Sequence, residues 1–214
     1  MNTKGKQRIL PKGGSFGFFG WHLVDVAGQP VQNDNSVAGT STSIGPVCDK
    51  IIITEGEYDA IAVAQALQDY DPNNANNGNS TDPNSSLWIK NVPVISLPNG
   101  CNSFPVELVA QLERFKVIYL WLDNDSSGVA ASEKFSRKLG IHRCHIIKPL
   151  DNCQIQPKDG NDALRTVRPG VTTAENYQMN VKMMVDMLLH AQSIKHDRIV
   201  SFVDLKHEVL QAFT

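Results

Sequence analysis

Short apolar runs alternate along the chain with polar turns, and the runs follow two periodicities. Ile51-Ile52-Ile53-Thr54 is a β-branched block, which predicts a strand covered on both faces. Pro93 to Leu97, Lys116 to Leu122 and Arg143 to Lys148 predict three more strands. Between them apolar positions recur at helical spacing. Ile61, Ala64 and Leu67 follow the first strand, and Pro105 to Phe115 reads as a helix with proline in its first turn. A longer helix runs to Leu139, and a short one lies around Ala163 to Val167. Strands that alternate with helices predict an α/β fold, with a mostly parallel, Rossmann-like sheet and helices on both faces.

Beyond Pro169 the pattern changes. Val181, Met184, Val185, Leu188 and Leu189 form the stripe of an amphipathic helix. Ser201 and Asp204 have the spacing of a capping box, and Phe202, Leu205 and Val209 continue one apolar face. Two stretches are too polar to join a core: 29–46, rich in Ser, Thr, Asn and Gly, and an Asn-rich insertion over 69–88. Gly13 to Gly20 is loosened by glycine and leads into Trp21-His22-Leu23-Val24, which predicts a loop and then a short strand. The boundaries drawn are a basic, Gly-rich subdomain and linker over 1–47, a central domain over 48–170 and a helical linker over 171–214.

A chain of 214 residues, 41% hydrophobic, can bury one substantial core. Its net charge of −2 excludes a wholesale nucleic-acid coat, so such binding would rest on local cations or on metal. Lys4, Lys6, Arg8 and Lys12 precede the first acid, Asp25, and make the N-terminal arm basic. Cys48, Cys101, Cys144 and Cys153 form no C-x-x-C pair and fit reduced thiols better than zinc or disulfides. No apolar run is long enough to cross a bilayer, and neither a secretory nor a transit segment is evident. The expectation is a soluble fragment or truncated isoform.

Acidic residues change the picture most. Glu55/Glu57/Asp59, Asp123/Asp125 and Asp159/Asp162 each follow an apolar strand, and ligands of parallel sheets collect at the carboxyl ends of strands. Clustered carboxylates raise one another's pKa, so a pocket of them without Lys or Arg partners points to a bound cation. Oxygen-only ligands select Mg²⁺ or Mn²⁺. Each motif alone has a plainer reading, as a helix cap or a first-turn acid; their order after successive strands favours the site.

Thr54-Glu55-Gly56-Glu57-Tyr58-Asp59-Ala60, Ser96-Leu97-Pro98-Asn99-Gly100, Leu122-Asp123-Asn124-Asp125-Ser126-Ser127-Gly128 and Lys158-Asp159-Gly160-Asn161-Asp162 resemble the successive motifs of TOPRIM domains. Within that superfamily, Gly17 to Leu23 and Ile199 to Leu210 resemble the primase-helicases of short-tailed phages and of the mitochondrial Twinkle type, the last segment being similar to the linker that joins the primase-like half to the helicase. The resemblance implies catalytic roles for Glu55, Asp123 and Asp125. It implies metal binding by these three with Glu57 and Asp159, support from Asp59, and nucleic-acid or nucleotide contacts by Lys6, Arg8, Lys12, Gly100 and Lys158. It further implies Mg²⁺ or Mn²⁺ as cofactor. Single-stranded DNA and ribonucleoside triphosphates are the implied partners, with a helicase domain that assembles as a hexamer or heptamer, and the implied location is the mitochondrial matrix.

Animal Twinkle proteins have largely lost the paired aspartates, whereas this chain keeps both. There is no cysteine-rich zinc module and no G-x-x-x-x-G-K-[ST] loop, so this stretch cannot hydrolyse ATP to unwind DNA. Two functions stand open: a primase-type nucleotidyltransferase that makes RNA primers, and a catalytically silent single-stranded-DNA-binding and oligomerisation module of a helicase. A TOPRIM nuclease or topoisomerase is a third, the latter lacking room for a domain with a nucleophilic tyrosine. His142-x-x-His145 invites a metal reading, but residues three apart on a strand face opposite sides. Trp88, Tyr119 and Trp121 could stack bases, but Tyr119 and Trp121 belong to an apolar strand and read as core; Phe16, Phe18, Phe19 and Trp21 read as packing first and base-stacking second.

Overall fold

The block Ile51 to Ile53 is fully buried because both of its faces are covered, and it lies in the middle of the sheet. A computed structural model describes residues 17–26, 48–72, 88–102, 104–151 and 153–194. Within it, β1 (Lys50–Thr54) is flanked by parallel partners β2 (Val94–Ser96) and β3 (Val117–Trp121). Next to β3 runs β4 (Cys144–Ile146), also parallel, and β5 (Gln192–Ser193) closes that side antiparallel, giving the order β2-β1-β3-β4-β5. The protein is therefore a mixed α/β fold built on a five-stranded, mostly parallel sheet.

Alternation along the strands divides the core in two. Ile52, Val94 and Trp121 face α2 (Glu57–Asp69), α4 (Gly160–Arg165) and α5 (Thr173–Leu189). Ile51, Ile53, Ile95, Ile118 and Leu120 face α3 (Ser126–Leu139) with Phe104, Leu112 and Phe115. The stripe of α5 foreseen from its spacing packs onto the first of these layers through Val181, Met184, Val185 and Leu188. Thr172 caps this helix, its Oγ1 accepting from the Glu175 amide. No helix among the described residues is long and apolar enough to cross a membrane.

Two expected elements differ. The strand expected after Gly20 is a helix, α1 (Trp21–Val26). Phe19 does pair with Ser96, but by a single antiparallel bridge, after which Gly20 at φ +80° turns the chain and its carbonyl accepts from the Leu23 amide. Four apolar-rich residues are too few to distinguish the two periods. The helix expected over Pro105 to Phe115 is instead a pair of 3₁₀ turns, Val106–Leu108 and Ala110–Leu112. Its amides bond three residues back, Leu108 to Pro105 O, Val109 to Val106 O and Leu112 to Val109 O, and the end of the segment is tied down by Arg143, whose Nη1 donates to Leu112 O (2.9 Å) and Phe115 O (2.8 Å). Segment 201–214, with its expected capped helix, all of the 29–46 stretch and most of 69–88 lie outside the described residues.

Candidate functional site

The carboxyl ends of β1 and β3 are neighbours in the centre of the sheet, with Thr54 opposite Trp121. Two loops that begin with acids therefore leave the sheet side by side. Thr54 Oγ1 donates to Ile95 O (3.2 Å) and Gly56 O (3.0 Å), fastening the first loop to β2. Glu55 is half-buried there, and its carboxylate accepts from the Asp123 amide at 3.5 Å. The loop after β2 comes close from the other side. A Cβ on Gly100, which sits at φ +60°, would lie 3.5 Å from Glu55 Oε1.

Asp125 is fixed as a helix cap. Its Oδ1 accepts from the amides of Ser127 (3.0 Å) and Gly128 (2.9 Å) and from the Ser127 hydroxyl, which together hold its pKa below the ordinary carboxylate range. Gly128 is required by space: a Cβ there would meet Asp123 O at 2.0 Å. The start of α3 is thereby pressed against the loop that carries Asp123.

The third acidic cluster arrives through α4. Asp159 caps α4 by accepting from the Asp162 amide at 2.7 Å, and Asp162 Oδ2 accepts from the Lys158 amide at 2.9 Å. The Lys158 carbonyl accepts from the Asn124 amide at 2.6 Å, joining this loop to the one after β3. Asp59 is buried between α2 and α4 and accepts from Gly56 N (3.2 Å) and Asn161 N (3.0 Å). Burial is the main cause that pushes its pKa up to about 6, with Asp159 adding to the rise. Glu57 stands exposed at the start of α2.

One expectation about this edge needs correction. The carboxylates are not without a basic partner: Lys158 Nζ lies 2.6 Å from Asp123 Oδ2. Asp123 is thus neutralised by a lysine delivered from the third loop. The donor chemistry of the edge suits a hard cation, but the placement does not form a finished metal centre. Among the described residues no three His, Cys, Asp or Glu side chains group so as to hold a metal ion.

Sequence reasoning passed over Cys101. Its thiol pKa is raised by burial and then by the neighbouring Glu55 carboxylate, so it lies beside Glu55. Only its position directly after Gly100 could have signalled this. His142 lies exposed in a 3₁₀ turn outside the strand, and His145 is on β4 against the Tyr119 ring at 5.6 Å. Trp121 is core, and Trp88 stacks on Tyr119 at 5.9 Å. Phe18 is buried against Trp21 and Phe104, while Phe19 is half-exposed. Lys6, Arg8, Lys12 and Phe16 lie outside the described residues.

No protein-family model matches the chain. Among solved structures it is similar to the primase fragment of the bacteriophage T7 primase-helicase protein, at 20% identity and a TM-score of 0.37, over 64% of this chain and 43% of that one. It is also similar to a bacteriophage T7 lagging-strand DNA polymerase structure with primase domains of two gp4 subunits bound to an RNA/DNA hybrid and dTTP, at 20% identity and a TM-score of 0.43, over 74% and 66%. The chain thus spans less than two thirds of the length of either.

Proposed function

We propose that this chain is the primase-like TOPRIM module of a replicative primase-helicase, and that its acidic edge, with Mg²⁺ or Mn²⁺, handles the phosphates of single-stranded DNA and ribonucleoside triphosphates to make RNA primers. The observation that supports it is the contact of the Glu55 carboxylate with the Asp123 amide, which brings the acids after β1 and β3 to one point of the sheet. A divalent ion there would neutralise phosphate charge. The chain's own residues supply the rest: Asp125 and Gly128 fix the loop of Asp123, Asp159 fixes the loop of Lys158, and Gly100 turns the loop after β2 beside Glu55 at φ +60°. In this reading the segment 171–214 leads to a helicase domain that assembles as a ring, and the protein works in mitochondria.

Primer formation on single-stranded DNA with ribonucleoside triphosphates and Mg²⁺ tests the assignment. The wild-type chain is expected to make primers, and Asp123→Ala/Asp125→Ala to lose at least about tenfold while keeping its circular dichroism. Equal activity in both chains would remove the catalytic role.

The Lys158–Asp123 pair favours a second reading, a catalytically silent module that binds single-stranded DNA beside a helicase. Binding would then weaken steeply with salt and be indifferent to Mg²⁺.

A further inference from the structure

We propose that Lys158 is an internal stand-in for the divalent cation: in the free chain its ammonium occupies Asp123, and an incoming cation binds by displacing it. The inference rests on the cation reading above and adds to it the residue that keeps the site closed.

Three observations carry it. The ammonium sits 2.6 Å from Asp123 Oδ2, and the charges of Asp159 and Asp125 add to the pull of Asp123 on it. Its backbone is anchored on both sides, the amide to Asp162 and the carbonyl to Asn124, so the side chain alone is left to move. The two ends of the pair also differ in freedom, since the Asp123 side chain is 16% exposed and that of Lys158 is 58% exposed. An aspartate held in place and a lysine able to swing into water make an exchangeable pair, whose attraction is screened and small. Lys158 also borders a cleft of about 440 Å³ that is lined by Asp159, Asn161, Asp162 and Arg165 and gives the released side chain open space.

The test is a Mn²⁺ titration of the full 214-residue chain, followed by the electron paramagnetic resonance signal of free Mn²⁺. Lys158→Gln is expected to bind Mn²⁺ roughly three- to fivefold more tightly than wild type, the factor that loss of a screened competing pair converts to. Lys158→Arg should stay near wild type. Arg165→Gln, which removes a charge from the same cleft without touching Asp123, should change affinity by less than about twofold. Asp123→Asn should weaken binding and abolish the gain from Lys158→Gln. In wild type, Mg²⁺ should shift the Lys158 side-chain resonance in step with binding. Equal affinity in wild type and Lys158→Gln, an equal gain from Arg165→Gln, or saturation by Mg²⁺ with an unmoved Lys158 resonance would each overturn the exchange while leaving the cation site standing. No Mn²⁺ binding in any variant overturns the cation reading and the exchange together.

Discussion

Arg143 and Lys158 carry the same charge at opposite ends of the sheet and are used in opposite ways. At the amino end Arg143 is 8% exposed and its guanidinium is consumed by the chain, with Leu139, Leu112 and Phe115 carbonyls and the Glu113 carboxylate as acceptors. At the carboxyl end Lys158 makes one ion pair from a mostly exposed side chain. A planar fork with several donors suits a permanent junction, whereas a flexible ammonium suits an interaction that must be given up. The same element, α3, runs between the two ends, so one helix joins a locked region to an exchangeable one.

The comparison can be broken most forcefully at Arg143. Arg143→Leu strands buried carbonyls and should cost about 3–5 kcal/mol in urea unfolding; a loss under about 1 kcal/mol would show the junction to be dispensable. Gly128→Ala asks whether the carboxyl end is rigid in its backbone even though its lysine is loose. A methyl at 2.0 Å from Asp123 O must push α3 off the loop, at about 2–4 kcal/mol. Thermal melts that coincide with wild type would refute the close approach. Lys158→Gln should change stability by under about 1 kcal/mol, because a screened pair contributes little; a loss comparable to Arg143→Leu would erase the contrast.

A separate check is a pH slope. The Asp59 carboxyl is raised to about 6 in the fold, so the folded chain holds its proton more tightly than the unfolded chain does. Its contribution to stability is present below about pH 4 and is lost as pH rises through 6. Unfolding midpoints between pH 4 and 7 should fall with pH in wild type and flatten in Asp59→Asn. Parallel slopes would assign the drop to other groups.

Strands were legible in the sequence because β-branched runs such as Ile51 to Ile53 allow little else. The helices at Glu57–Asp69 and Ser126–Leu139 were also legible, their apolar spacing being long enough to declare a period. The 3₁₀ turns before β3 were not, since apolar spacing does not separate bonding to the third residue from bonding to the fourth, and the arginine that ties down their end is 31 residues away from Leu112. Asp123 and Asp125 were legible as a pair, but not their divergence, one claimed by a lysine and the other by helix amides. Sequence spacing states which carboxylates leave a strand together; it does not state which hydrogen-bond donors reach them first. Lys158 was singled out for nucleotide contact, and the acid that holds it in the free chain is a tertiary fact.

The sheet's borders carry a last consequence. β2 has three residues and β5 two, and β2 receives Phe19 through a bond from the Ser96 amide to the Phe19 carbonyl at 3.1 Å. Among the described residues neither border presents the long flat ladder that templates strand addition by another molecule. Concentrated solutions of the folded chain should therefore resist fibril growth, and seeding should require the sheet to open first.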